Sequence, residues 1–497
     1  MKKIIAVTAG LLLAGSIVGS AQAADSPLNI TFSGDARARF NYESNYLGLA
    51  SGAPVLNAVT LPVINAQGKR LDVPAKTSND FWNSRIRLQF KIDTKGGAYA
   101  VGRFRIADGT WEGNNMGANS VSPGGGGTTG GSEGYATNNT KSNIWADIGY
   151  IGVPMGPIVV EGGLGYDDFT NDFFRAGTTD NYTFLRGKYA NDQTTIYAFY
   201  EKLRVDPLLG GTSTYNSTTG VFAVNATDNQ NDIDQYGVNW TQKFNKDWSL
   251  NGTILYRDDQ LTTQDYSGVA ADVLVNGNLP NGIKLWVELA YKQSDYQRAG
   301  YASTNYSDTN TYQGLNSGKD GWSNMSTTGD DGYGGYIAAK FPLGAGFAIS
   351  AMAGATFDGY TASPDFGGGK QADYAPFVML SQPTTKDLGF LGTGVLVGSA
   401  AGNAYFINVA PSVKPTDRLT LTVEGTYMNA EYGQGTLNAA HTHWSDGVTS
   451  LNFWEVGGIA SYKVTDGAAV NAMVGYLNIE DADNNPIGFG LALDVKF

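Results

Sequence analysis

The last twelve residues of the chain, 486–497, alternate strictly between apolar side chains and small or polar ones. Every second position is apolar: Ile487, Phe489, Leu491, Leu493, Val495 and Phe497. The positions between them are Gly488, Gly490, Ala492, Asp494 and Lys496. Because successive side chains of a β-strand point to opposite faces, this pattern predicts a closing strand with one apolar face and a terminal aromatic residue. The apolar face of such a strand lies either against a packed core or against lipid. Features elsewhere in the sequence distinguish between these two possibilities.

The first 23 residues have the organisation of a secretory signal peptide. Lys2 and Lys3 precede an apolar stretch over residues 4–18, and a small-x-small cleavage signal follows at Ala21 and Ala23. The sequence therefore predicts a signal peptide at 1–23 and a single exported domain at 24–497. No later segment has the roughly 18 continuous apolar residues of a membrane-spanning helix, so no transmembrane helix is predicted. The exported chain is then either soluble or crosses a membrane as strands.

Composition favours strands and excludes several kinds of chemistry. Of the 497 residues 66 are glycine, only 16% are charged, and no long stretch has the apolar stripe of a helix. The absence of cysteine excludes disulfides, thiolate metal sites and covalently attached haem, and we predict no cofactor. The net charge of −13 argues against nucleic acid as a partner.

Alternating segments recur along the whole chain, with the length of roughly 9 to 12 residues that a tilted membrane strand needs. We predict eighteen of them, at 28–42, 82–93, 98–107, 142–151, 158–166, 182–189, 194–201, 232–244, 248–257, 268–277, 283–292, 333–341, 347–358, 402–413, 419–428, 452–463, 468–477 and 486–497. Short connections rich in Gly, Asn and Asp, which tight hairpin turns require, alternate with connections that are mostly much longer. An even strand number places both termini on the short-turn side. The predicted fold is all-β, a closed antiparallel transmembrane barrel with 18 strands, 16 being the alternative.

Aromatic residues cluster where the predicted strands end. On the long-loop side these are Tyr42, Tyr166, Tyr200, Tyr256, Tyr291, Phe357, Tyr427 and Tyr476. On the short-turn side they are Tyr150, Tyr189, Trp240, Phe244, Trp248, Phe341, Phe347 and Tyr462. Two such rows predict girdles at the two lipid–water boundaries, because amphipathic rings favour that position. The plainer interpretation, that Tyr and Phe favour strands anywhere, does not explain the clustering at strand ends.

With its terminal Phe497, its alternating strands and its two loop classes, the chain resembles Gram-negative outer-membrane barrels. The resemblance implies a location in the outer membrane, with short turns in the periplasm and long loops outside the cell. It also implies contact with membrane lipid and lipopolysaccharide, and recognition of Phe497 by the barrel-assembly machinery.

Basic residues concentrate on the polar phase of a few early strands. They are Arg37, Arg39, Arg85, Arg87, Lys91, Arg103, Arg105, Arg186 and Lys188. Because the first three strands are hairpin neighbours, we predict a basic wall facing the lumen, where like charges need water, counter-ions or carboxylates as partners. Candidate carboxylates in or beside the third long-side connection, 167–181, are Glu161, Asp167, Asp168, Asp172 and Asp180. A simpler interpretation is that the charges only keep the wall hydrated.

This arrangement is similar to porins, in which the third extracellular loop folds into the barrel and sets acidic residues against an arginine wall. The resemblance implies a water-filled channel for passive diffusion of ions and small hydrophilic solutes, and a possible homotrimer. The preferred ion stays open, because the negative chain favours cations whereas the basic wall favours anions.

Other functions need different features. A substrate-specific channel of the same fold needs an aromatic track in the lumen, for which the candidates are Trp145, Tyr182, Tyr197 and Trp286. A barrel enzyme would depend on His441 and His443, the two histidines of the chain. A scaffold or conduit barrel would generally need a longer chain.

Two polar clusters could in principle hold a metal. His441 and His443 form an H-x-H pair in a long loop, and residues 480–483 carry three carboxylates. Solvated loop tips explain both, so we predict no metal site and no catalytic residue.

Overall fold

The structure is a computed structural model, and it describes most of the predicted strands together with parts of the connections between them. The described residues are 29–44, 78–111, 144–166, 169–171, 173–175, 182–205, 213–216, 221–224, 232–259, 267–294, 296, 331–358, 360, 362, 366, 376–380, 403–433, 448–480 and 485–497. The predicted signal peptide at 1–23 lies outside them and stays a prediction.

Twenty strands lie in this part of the chain. They are β1 (Asn29–Ser44), β2 (Ser78–Asp93), β3 (Tyr99–Trp111), β4 (Ile144–Met155), β5 (Ile158–Gly165), β6 (Tyr182–Ala190), β7 (Thr194–Val205), β8 (Ser213–Asn216), β9 (Val221–Val224), β10 (Asp232–Lys243), β11 (Trp248–Asp259), β12 (Ser267–Asn278), β13 (Lys284–Lys292), β14 (Gly332–Gly344), β15 (Phe347–Phe357), β16 (Ala404–Thr416), β17 (Leu419–Gly433), β18 (Val448–Thr465), β19 (Ala468–Ile479) and β20 (Ile487–Lys496).

Eighteen of these strands form one closed antiparallel sheet, which confirms the predicted barrel and its strand number. Each strand pairs with the next along the chain, β7 pairs with β10, and β20 pairs with β1. The exceptions are β8 and β9, which pair only with each other and lie in a connection that the sequence predicts to be a loop. Among the residues that the structure describes, no helix is long and apolar enough to cross a membrane.

The barrel closes where the C-terminal strand meets the first strand. Along this seam Arg37 lies opposite Asp494, and Tyr42 lies opposite Phe489. The seam extends to the terminal residue, because Gly34 N donates to Phe497 O at 2.8 Å and Phe497 N donates to Gly34 O at 3.0 Å. The pairing expected from the closing strand is therefore confirmed, and it includes the last residue of the chain.

The outward face of the barrel is apolar. Phe32 is 78% exposed, Leu289 61% and Val456 59%, values that water would penalise and lipid would not. In β20 the apolar positions from Ile487 to Leu493 are exposed, and the small residues between them are buried. The apolar positions of the alternating pattern therefore face outward from the barrel.

Two of the predicted girdle residues, Tyr150 and Tyr166, do not belong to the outward rows. Tyr150 packs against Tyr99 and Phe184 inside the lumen, with ring centroids 6.3 and 5.6 Å away. The cause is an extra residue in β4, where the pairing with β3 skips Asp147 and so reverses the phase. Tyr166 comes directly after β5 ends, and its hydroxyl lies among charged lumen residues. For these two residues the prediction is wrong.

Parts of two long connections fold into the barrel. The first inward segment, residues 169–171 and 173–175, and the second inward segment, residues 376–380, are almost entirely buried. The ring of Phe173 lies 5.3 Å from that of Tyr360 and 4.9 Å from that of Phe366, which joins the two connections. The hydrophobic core of this molecule therefore lies inside the barrel, because a lumen of eighteen strands is too wide for wall side chains to fill.

Candidate functional site

The predicted basic residues come together on one side of the lumen. Arg37 and Arg39 lie on β1, Arg85, Arg87 and Lys91 on β2, and Arg103 and Arg105 on β3. We call these seven residues the arginine wall. The strand register sets guanidinium groups directly beside each other, since Arg37 pairs with Arg85 and Arg87 pairs with Arg105. Like charges at such positions repel, so the wall needs compensating groups.

Asp35 is the first compensating group, and the sequence analysis did not single it out. Its carboxylate lies 2.7 Å from Nε of Arg87 and 3.5 Å from Nη2 of Arg85. The signal was present in the sequence, because Asp35 precedes Arg37 by two positions and so shares its face. The carboxylate therefore serves two guanidinium groups of the neighbouring strand.

Asp147 is the second compensating group. Its Oδ2 lies 2.7 Å from Nη2 of Arg103, and the same carboxylate also bonds Nε of Arg105. The hydroxyl of Tyr166 donates to Oδ2 of Asp147 at 3.1 Å. Asp147 is the extra residue of β4, and this irregularity turns its side chain into the lumen.

Arg186 on β6 forms a third group beside the wall. Its Nε bonds Glu161, and the hydroxyl of Tyr99 donates to the same carboxylate. Glu161 lies on β5 rather than in the connection that follows it, although it faces the basic residues as expected. Four rings surround the guanidinium carbon at 4.5 to 5.7 Å: Phe184, Tyr197, Tyr150 and Phe169. Cation–π attraction of this kind fixes the orientation of an arginine.

The two predicted lysines take peripheral places. Lys91 pairs with Asp93 at 2.7 Å, and Lys188 lies 5.5 Å from the ring of Tyr197. Several other predicted residues lie outside the described part of the chain, and their roles stay predictions: Asp167, Asp168, Asp172, Asp180, His441 and His443. The same holds for residues 481–484 and for the side chain of Trp145.

The other side of the lumen carries a second charged cluster, which sequence reasoning missed. Arg175 of the first inward segment pairs with Glu201 on β7 at 2.9 Å, and both side chains are almost fully buried. Nδ2 of Asn171 bonds Asp272 on β12. Removing one partner of a buried pair leaves an uncompensated charge, at a cost of about 3–5 kcal/mol. These contacts therefore attach the first inward segment to the barrel wall at β7 and β12.

Aromatic residues add to this attachment. The ring of Phe169 stacks on Tyr197 at 4.4 Å, and Arg175 lies 4.6 Å from the ring of Tyr182. Tyr360 donates its hydroxyl to Phe173 O at 3.2 Å, and complete burial holds the pKa of this phenol well above its usual range. Tyr182 and Tyr197, candidates for an aromatic track, thus contact the inward segment instead.

Exposure distinguishes the two sides of the lumen. In the arginine wall the side chains of Arg87 and Arg103 are 22% and 15% exposed, and that of Asp35 is 23% exposed. On the opposite side Glu288, Asn408 and Met428 are all at 0%. Lumen water therefore reaches part of the arginine wall, in which Arg39 is buried at 1% exposed, whereas the inward segments cover much of the remaining surface.

A closed sheet, an apolar outer surface and a charged, partly hydrated lumen together define a transmembrane β-barrel. This class satisfies every backbone hydrogen bond within the sheet and leaves a polar interior. By sequence, no protein-family profile matches the chain and no curated protein matches it.

Solved structures match over nearly the whole length. A variant of OccD1 (OprD) is 11% identical with a TM-score of 0.51, over 94% of this chain and 95% of that one. A BenF-like porin from Pseudomonas fluorescens Pf-5 is 10% identical with a TM-score of 0.50, over 94% and 98%. The outer-membrane protein OprD from Pseudomonas aeruginosa is 10% identical with a TM-score of 0.49, over 94% and 93%. The first two show that the fold is shared with outer-membrane channels.

Proposed function

We propose that the protein is an outer-membrane porin, a channel for passive diffusion of ions and small hydrophilic solutes. The observation that carries the proposal is the uneven covering of the lumen. Inward segments bury the surface of the later strands, whereas Arg87, Arg103 and Asp35 of the opposite charged region keep partial contact with water. A polar, water-accessible strip within an apolar barrel is what a diffusion path requires. The fold shared with a BenF-like porin supports this function.

The charges of the path favour anions. Asp35 lies between Arg85 and Arg87, and Asp147 contacts both Arg103 and Arg105, so that each carboxylate serves two guanidinium groups. The local charge is positive although the whole chain carries −13. Ions respond mainly to the charges within about 10 Å at 0.1 M salt, so the charge of the wall matters more than the net charge of the whole chain.

Reconstitution into a planar bilayer tests both statements. The protein is expected to produce discrete conductance steps with an ohmic current–voltage relation. In a KCl gradient the reversal potential is expected to show preference for chloride. Absence of steps from folded, inserted protein would reject the porin function, and a preference for potassium would reject the wall as the selectivity element.

A substrate-specific uptake channel of the same fold is the second candidate. The feature in its favour is Arg186, whose guanidinium is surrounded by four aromatic rings next to the first inward segment. Such a site could hold one kind of anionic solute longer than free diffusion allows. Concentration-dependent, saturable block of the ion current by a solute would favour this candidate, and a strictly linear dependence of flux on concentration would exclude it.

The proposal extends to location and partners. The predicted signal peptide at 1–23 and the apolar outer face support export to the outer membrane, where the barrel would contact lipid and lipopolysaccharide. Assembly through Phe497 and a homotrimeric state are parts of the proposal that rest on resemblance. We infer neither an enzymatic activity nor a scaffold role, because the contacts of the charged lumen residues account for transport without either.

A further inference from the structure

Glu455 of β18 makes an unusual contact with the second inward segment. One carboxylate oxygen accepts a hydrogen bond from Val378 N at 2.5 Å, and the other accepts one from Leu380 N at 2.6 Å. Glu455 is 1% exposed, and residues 378–380 are completely buried. A carboxylate that receives two main-chain donors from one short segment forms an anion nest, in which charge-assisted bonds offset the cost of burial.

The barrel wall around Glu455 has glycines at the positions where the same segment packs. A Cβ atom at Gly457 of β18 would meet the carboxylate of Glu424 and would lie 2.5 Å from Cγ2 of Val378. A Cβ atom at Gly475 of β19 would lie 2.6 Å from Cγ1 of Val378 and 2.6 Å from Cγ of Met379. Because real Cβ atoms do not approach so closely, only glycine lets Val378 and Met379 reach the wall. Shape and hydrogen bonding therefore act on the same few residues.

A further contact holds the start of the segment. Nδ2 of Asn408 on β16 donates to Pro376 O at 3.1 Å, and the ring of Phe377 packs on that of Phe406 at 6.4 Å. Three strands, β16, β18 and β19, thus contribute to one receiving surface. We call this surface the segment seat and define it by Asn408, Glu455, Gly457 and Gly475.

A neighbouring carboxylate shows that the contact is specific to Glu455. Glu424 of β17 also faces the lumen and is 1% exposed. Its Oε2 accepts hydrogen bonds from Thr426 at 2.9 Å and from Asn408 at 3.3 Å, both of them wall side chains. Burial is therefore common to both residues, whereas the main-chain donors of the inward segment point to Glu455.

We propose that Glu455 is a positioning residue that holds the second inward segment against the wall and thereby keeps the diffusion path open. The proposal rests on the proposed porin function. While the seat is occupied, the side chains of Phe377, Val378 and Met379 are packed against the barrel wall at β16, β18 and β19. A segment released from the seat would place these side chains in the water-accessible part of the lumen and obstruct it. The seat thus determines how much of the lumen solutes can use.

Glu455→Gln tests the seat with little change in size. An amide offers one acceptor oxygen and turns its NH₂ group toward a main-chain N–H donor, so one bond is lost and two donors face each other. Loss of a charge-assisted hydrogen bond is expected to make release about 10- to 100-fold more frequent. In planar bilayers this increases the rate of brief closures by the same factor. In detergent micelles it speeds hydrogen exchange of the peptide that contains residues 376–380.

Two further variants make the experiment decisive. Gly457→Ala crowds Val378 and the neighbouring Glu424 carboxylate and removes no hydrogen-bonding group, so it is expected to change exchange and closures in the same direction. Gly187→Ala adds the same methyl group on β6, where a Cβ atom meets nothing within 4 Å, so it is expected to behave like the unaltered protein. Gly457→Ala also keeps the proposal testable if Glu455→Gln does not fold.

The outcomes separate the seat from the porin function. Unchanged exchange at residues 376–380 in both folded seat variants would overturn the proposal, as would equal effects of Gly187→Ala and Gly457→Ala. Absence of conductance in the unaltered protein would reject the porin function alone, because hydrogen exchange reports on the seat without any current. Faster exchange with unchanged closures would overturn the link between the seat and the open path.

Discussion

Replacing Arg37, Arg85 and Arg87 together by glutamine is expected to weaken the preference of the channel for anions. The three guanidinium groups lie side by side on β1 and β2, and Asp35 stays behind as a carboxylate without Arg85 and Arg87. Arg39, Lys91, Arg103 and Arg105 remain, so the positive charge of the wall falls by three without reversing its sign. At 0.1 M salt we expect a roughly tenfold change in the permeability ratio, measured from the reversal potential in a KCl gradient.

A matched control removes the same number of cations from elsewhere. Lys95, Lys246 and Lys414 are exposed and lie in or next to short turns at one end of the barrel. Their joint replacement by glutamine is expected to leave the reversal potential nearly unchanged, because water and salt screen exposed charges. At 1 M salt the effect of the wall variant should shrink, since the screening length falls to about 3 Å. An unchanged potential in the folded wall variant would show that ions do not follow the arginine wall.

Gly34→Val is expected to prevent closure of the barrel. A Cβ atom at Gly34 would meet Arg87 O of β2 and would lie 2.6 Å from Cε2 of the Phe497 ring, at the place where two main-chain hydrogen bonds join the first strand to the last residue. A β-branched side chain must displace that ring or break the pairing. Overpacking of this kind costs about 1–3 kcal/mol or more, here at the one seam that makes the sheet continuous. The measurement is the yield of heat-modifiable barrel after refolding into detergent.

Gly187→Val provides the comparison. Gly187 also lies within a barrel strand, β6, and a Cβ atom there meets nothing within 4 Å. Its replacement by valine is expected to leave the refolding yield close to that of the unaltered protein. Equal yields for the two variants would mean that the contact between Gly34 and Phe497 does not limit closure.

Most of the barrel could be predicted from the sequence because lipid imposes a simple rule. Every strand must show apolar side chains outward, so a period of two repeats along the chain and marks each strand. The same rule identified the basic residues, since charge on the opposite phase has to face the lumen. It also gave the pairing of the closing strand with β1, because a barrel leaves no free edge.

The alternation rule failed where a strand contains an irregularity. The extra residue in β4 reversed the phase, turned Tyr150 inward and carried Asp147 to Arg103 and Arg105. Alternation along the sequence cannot reveal such a residue, because the irregularity depends on pairing with β3. Asp35 was different, because the alternation of β1 already placed its side chain on the lumen face. It was missed because the sequence analysis considered only the basic residues of that face.

The inward segments could not be predicted in position because their contacts are distant along the chain. Val378 and Glu455 are 77 residues apart, and Asn171 and Asp272 are 101 apart. A glycine such as Gly457 looks like any other glycine of a strand until the segment that packs on it is known. The sequence therefore indicated that something must fill a wide lumen, and the structure identified what does.

The two halves of the lumen arise from separate stretches of the chain. Residues 35–105 supply the cations of the arginine wall, whereas residues 376–475 supply the second inward segment and most of its seat. Substitutions in the first stretch can alter which ions pass, and substitutions in the second can alter how many. Natural variation, or an engineer, can therefore adjust the chemical preference of this barrel and its throughput independently.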